Sequence, residues 1–152
     1  MPRQAPSPSR PLEGKVAIVG GRPRVSLTDR AATVADLSIT LTGGTGRTAV
    51  PITFSISLNV PISGRAQLMD DTGTVIAEST RSGSEMVFRN VAVVPPGSRA
   101  RVFRITNIRG NASQIGALAS GSPSQIVAFV SVSAPLRIAL SGSQQNVAAI
   151  QR

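Results

Sequence analysis

The sequence contains no cysteine, histidine, tryptophan or tyrosine. Lack of cysteine excludes disulfides, and lack of cysteine and histidine together removes thiolate and imidazole metal ligands. It also removes every catalytic scheme built on a His or Cys, so an enzyme is not expected. Aromatic residues make up only 3% of the chain, all of them phenylalanine. An RNA-recognition surface would need more stacking rings than four phenylalanines supply. A typical sugar-binding face would need Trp or Tyr. Acids are scarce, with seven Asp and Glu against sixteen Lys and Arg. Long apolar runs are missing as well. The first, Val16–Val19, is only four residues long and stops at Gly20-Gly21-Arg22-Pro23. A secretory signal needs an apolar stretch of about 7–15 residues and a membrane span about 18. Read as it stands, the chain is expected to carry neither. It therefore acts in the cytoplasm, or is a piece of a larger exported protein, or has a misplaced start.

What is present suits one globular domain. At 152 residues and 41% hydrophobic content the chain can bury roughly 68–70% of its unfolded surface. Only 15% of residues are charged, which argues against intrinsic disorder. Residues 1–13 carry Pro2, Pro6, Pro8 and Pro11 and read as a flexible Pro/Ser-rich arm. Residues 14–152 are left as a single domain.

In that domain the hydrophobic pattern has a period of two. Residues 52–60 place Ile52, Phe54, Ile56, Leu58 and Val60 on one face, with Thr53, Ser55, Ser57 and Asn59 on the other, an alternation that no helix satisfies. Leu37, Ile39 and Leu41 repeat it. Residues 65–70 and 74–79 flank Asp70-Asp71-Thr72-Gly73 and predict a hairpin. Residues 85–94 predict a strand whose phase slips near Arg89-Asn90, as at a bulge. Pro95-Pro96-Gly97-Ser98 predicts a turn into a strand over 101–108. Residues 125–133 read as a central strand packed on both faces. Leu136, Ile138 and Leu140 form a further strand, and Val147 to Ile150 close an edge. The segment 111–119 reads as a loop or a single helical turn, because Gly116 costs about 1 kcal/mol there. The expected fold is all-β: an antiparallel β-sandwich, immunoglobulin-like, of eight or nine strands. The expected core includes Phe54, Ile56, Leu58, Phe103, Ile105, Val130 and Val132.

Few motifs point to chemistry. Gly43-Gly44-Thr45-Gly46-Arg47-Thr48 lacks the lysine and spacing of a phosphate-binding loop and leads into a strand. Asp70 and Asp71, with Glu78 or Asp36, offer oxygen ligands for Ca²⁺ but not the six to eight that the ion wants, and paired Asp also suits an exposed turn. Lys15 has no partner motif for a Ser–Lys dyad. Asn111-Ala112-Ser113 matches a glycosylation triplet that matters only in a eukaryotic secretory pathway. No cofactor or metal is expected. The net charge of +9 reflects arginine, since Lys15 is the single lysine. Scattered arginine is read as compositional bias. Alternatively, Arg99, Arg101, Arg104 and Arg109 are candidate anion-binding residues for nucleic acid or acidic polysaccharide.

The run from Phe88 through Val91, Val93, Pro95-Pro96-Gly97 and Arg101-Val-Phe-Arg-Ile-Thr-Asn-Ile-Arg-Gly-Asn-Ala-Ser113, then Gln125–Ser133 and Gln144–Gln151, resembles a known sequence pattern. It is similar to an uncharacterised β-rich domain of exported proteins from Acidobacteria and similar soil bacteria. The likeness covers roughly residues 85–151, and its motifs are structural. It implies a surface or extracellular structural module. The leading expectation is a non-enzymatic extracellular or cell-surface module, structural or adhesive, whose partners are copies of itself or neighbouring domains of a longer exported protein. Because Arg99 and Arg101 share a strand face and Arg104 takes the other, polyanion binding is expected to be weak and non-specific.

Overall fold

A computed structural model of the chain describes residues 12–44, 48–115, 125–135 and 138–151. Strand accounts for 66% of it and helix for 2%, far from the even mixture of a typical soluble domain. The strands are β1 (Leu12–Val19), β2 (Arg24–Ser26), β3 (Ala32–Thr33), β4 (Asp36–Gly43), β5 (Val50–Leu58), β6 (Ile62–Ser63), β7 (Gln67–Met69) and β8 (Val75–Glu78). They continue as β9 (Thr80–Ser82), β10 (Glu85–Val93), β11 (Gly97–Thr106), β12 (Arg109–Gly110), β13 (Gln125–Ser133), β14 (Ile138–Ser141) and β15 (Gln144–Gln151). Nine of them have four residues or more, and the other six are pieces of two or three. Among the described residues between β12 and β13 lies one 3₁₀ turn, Ala112–Gln114, capped by Asn111.

One six-stranded sheet runs β14-β1-β4-β11-β7-β8, and a second runs β2-β15-β13-β5-β10-β9. The two face each other across a single apolar core, and β3, β12 and β6 form a small third sheet. This is an immunoglobulin-like β-sandwich. Most pairs are antiparallel. The edges depart from that: β1 pairs with β14, and β15 with β2, in parallel. The chain segment from β1 to β2 thus crosses from one sheet to the other.

The alternation that writes β5 also builds the core. Ile52, Phe54 and Ile56 are fully buried, as are Leu37, Ile39 and Leu41 on β4. Phe54 of the second sheet packs on Phe103 of the first, with ring centroids 5.6 Å apart and planes tilted by 48°. Every expected core residue is buried except Val132, which is partly buried and packs against the core. Val102 points outward, which settles the phase of β11 in favour of Phe103.

Several readings need correction. Leu12 and Glu13, assigned to the arm, open β1, and Leu12 is buried, because its alternation with Gly14 and Val16 continues inward. Residues 1–11 lie outside the described residues. β13 is central in its sheet but is not packed on both faces, since Phe129 is 48% exposed. β15 does not close an edge, because β2 lies outside it. Leu136 and residues 116–119 also lie outside the described residues.

Candidate functional site

The four arginines singled out by sequence are not brought together. Arg99 is exposed beside the turn, where its N–H bonds Pro96 O at 3.1 Å. Arg104 points outward and donates from Nε and Nη2 to one carboxylate oxygen of Asp36, at 3.2 and 2.8 Å. Arg109 lies on β12 in the third sheet, with its Nε on Asn107 Oδ1 at 3.1 Å. Only Arg101 enters the space between the sheets. Its cross-strand partner is Leu41, so it occupies a core-facing position where the pattern calls for an apolar side chain.

The surroundings of Arg101 form a cleft of about 360 Å³ at one corner of the sandwich. β8, β11 and the β7–β8 turn supply one wall, with Ile76, Ala77, Asp70, Arg101 and Phe103. β10 supplies the other, with Arg89, Asn90, Val91 and Ala92. The guanidinium of Arg101 lies 5.4 Å from the centroid of the Phe103 ring, within cation–π range. Its nearest anion is Asp71, at 3.5 Å. A full charge-assisted hydrogen bond would be about 2.7–2.9 Å, so this pair is loose.

Each wall has a local cause. The hairpin turn is built around Asp70, whose Oδ1 accepts from Thr72 N, Thr72 Oγ1 and Thr74 N at 2.9, 2.6 and 3.1 Å. The Thr72 hydroxyl above all, with the backbone N–H groups of Thr74 and Thr72 and the nearby Arg101 charge, holds the Asp70 carboxyl below the ordinary carboxylate range; desolvation opposes them. Gly73 sits at φ 82°, a conformation that a Cβ would oppose. On β10 the register shifts between Phe88 and Val91, so both keep facing the core while Arg89 and Asn90 bulge out. Asn90 takes φ 52° there, and its N–H is held by Thr53 Oγ1 at 3.2 Å.

The remaining acids are distributed rather than clustered. Glu78 lies 3.9 Å from Arg65, Asp36 pairs with Arg104, and Asp71 with Arg101. Among the described residues no three acids converge on a metal-sized site. Asn111 accepts from Ser113 N and Ser113 Oγ, so its amide is engaged as a cap. Of the glycine-rich segment, residues 45–47 lie outside the described residues. Lys15 lines an open groove of about 430 Å³ on the outer face of the first sheet, with Glu13, Thr40, Thr42 and Ser141. The outer face of the second sheet carries Thr53, Ser55 and Ser57 beside Ser131 and Ser133, with Phe129 opposite Ser57.

Sequence reasoning named Arg101 but missed Arg89, whose placement depends on a bulge that shows only as a slipped phase. It also missed the inward turn of Arg101. The signal was available, since Arg101, Phe103 and Ile105 share one phase.

No protein-family model matches the chain, and no curated protein matches it. Solved structures do. A DUF4466 family protein from Parabacteroides merdae is similar over 84% of this chain and 41% of its own, with TM-score 0.50 and 10% identity. The partial N-terminal region of enterococcal surface protein is similar over 88% of this chain and 40% of its own, with TM-score 0.50 and 5% identity. A non-cellulosomal cohesin from Archaeoglobus fulgidus aligns over 91% of this chain and 92% of its own, with TM-score 0.47 and 9% identity. The chain spans about two fifths of the length of the first two. Identities this low establish the β-sandwich fold alone. Among the described residues no helix is long and apolar enough to cross a membrane.

Proposed function

We propose that the chain is a non-enzymatic structural or adhesive module displayed outside the cell or on its surface. It would contact neighbouring domains or copies of itself through the faces of its sandwich. The observation that carries this reading is the outer face of the second sheet. There a hydroxyl-bearing array of Thr53, Ser55, Ser57, Ser131 and Ser133 runs up to a half-exposed Phe129, which pairs with Ser57. An aromatic anchor within a polar, solvated field suits contact with another surface. The likeness of the fold to a region of enterococcal surface protein supports the reading.

The test is protease treatment of intact cells of the native organism carrying an epitope-tagged chain. Display predicts loss of the tagged chain while a cytoplasmic marker survives. A chain cleaved only after lysis contradicts the proposal.

A further inference from the structure

Arg101 breaks the inward-facing pattern of its strand without being sealed in a buried ion pair. Local rules of patterning tend to be broken at functional sites. Its guanidinium is steadied by the Phe103 ring, and its side chain keeps 28% exposure. The fork of N–H donors is therefore held in place but only loosely used, by an Asp71 that is itself 41% exposed. From the facing sheet, the bulge at Arg89-Asn90 puts a second arginine in the lining of the same cleft. Bulges of this kind re-aim side chains beside sites.

We infer that this corner cleft binds a small hydroxylated carboxylate of hexuronate size, seated between Arg89 and Arg101. The carboxylate takes the place of the Asp71 side chain on the Arg101 fork, a planar donor set matched to a planar acceptor pair. Asp70 lies in the same lining, and its charge disfavours a compact dianion such as phosphate more than a singly charged carboxylate. The turn uses Oδ1 of Asp70 for all three of its hydrogen bonds, which leaves Oδ2 to accept from a ligand hydroxyl. Ile76, Ala77 and Val91 give the ligand ring an apolar wall. A volume of about 360 Å³ lies near the lower end for small-molecule sites, which span about 300–1,000 Å³, and so fits one sugar acid. The inference stands apart from the cell-surface reading, because it concerns the purified chain alone.

The test is a titration of the ¹⁵N-labelled chain with D-glucuronate, followed through the amides of Ile76, Asn90, Val91 and Arg101. Parallel titrations use hexanoate, glucose and inorganic phosphate. Glucuronate is expected to shift these amides and to bind more tightly than hexanoate, glucose or phosphate. Arg101→Gln and Arg89→Gln should each weaken it about tenfold. Arg89 is exposed, so its variant reads the site even where Arg101→Gln perturbs the corner. Asp71→Asn removes the internal competitor and should tighten binding roughly twofold to fivefold. Glucose or phosphate binding as well as glucuronate, or an Asp71→Asn variant that binds no better, overturns the inference. Hexanoate matching glucuronate overturns the role of Asp70.

Discussion

Replacing Phe54 with alanine tests the packing that joins the two sheets. Phe54 is fully buried, with Phe88 and Val132 as its cross-strand partners and the Phe103 ring across the interface. Truncation removes the ring and leaves a cavity that neighbours on three strands can only partly fill. The expected loss is about 3–5 kcal/mol. For a chain of this length that corresponds to roughly 6–20 °C in Tm. Urea denaturation of the wild type, Phe54→Ala, Phe103→Ala and the double variant separates the terms. Part of each single loss belongs to the ring pair, so the cycle should return a coupling of about 0.5–1.5 kcal/mol. A Phe54→Ala loss below about 1 kcal/mol would place the side chain outside the core. A coupling near zero would mean that the two rings do not meet.

Other expectations follow from particular residues. Asn90→Val should destabilise by about 1–2 kcal/mol, because a β-branched residue resists the left-handed conformation at the bulge, whereas Asn90→Gly should fold normally; denaturation of both variants checks this. The folded-state pKa of Asp70 lies below its unfolded value, so its stabilising contribution is full above the unfolded pKa. That contribution should disappear as pH falls below about 4, the ordinary Asp pKa. An NMR titration of the carboxyl and of the Thr72 and Thr74 amides reads it directly, and a carboxyl titrating at or above the ordinary Asp value would contradict the turn geometry. Against heparin and duplex DNA the chain should bind weakly, without sequence preference, and lose that binding as salt rises, because Arg99, Arg101, Arg104 and Arg109 form no continuous basic patch and Arg104 already pairs with Asp36. Binding that survives physiological salt and prefers one sequence would restore the arginines as a nucleic-acid site.

The fold was legible where its pattern is local. Perfect alternation marked β5, Asp70-Asp71-Thr72-Gly73 marked the β7–β8 hairpin, and the slipped phase at Arg89-Asn90 marked a bulge. The Pro95-Pro96-Gly97 turn into β11 was equally visible. Strands such as β3, β6 and β12 were not, since two residues cannot display a period of two. The parallel pairing of β1 with β14, and of β2 with β15, joins residues more than a hundred positions apart, and no local signal encodes it. The corner cleft escaped notice for the same reason. Arg89 and Arg101 are recognisable as residues, but only the packing of β10 against β8 and β11 puts them in one place.

The central claim is that the two sheets are each woven from both halves of the chain, so that the cleft is a fixed feature of one cooperative unit. β4 pairs with β11 in one sheet, and β5 pairs with β13 in the other. Native-state amide hydrogen exchange tests this most directly. The slowest amides of β4, β5, β11 and β13 should open together, with one free energy equal to that of global unfolding. Two separate opening energies, one for strands before residue 64 and one for strands after it, would contradict the interleaved sandwich and the cleft that depends on it.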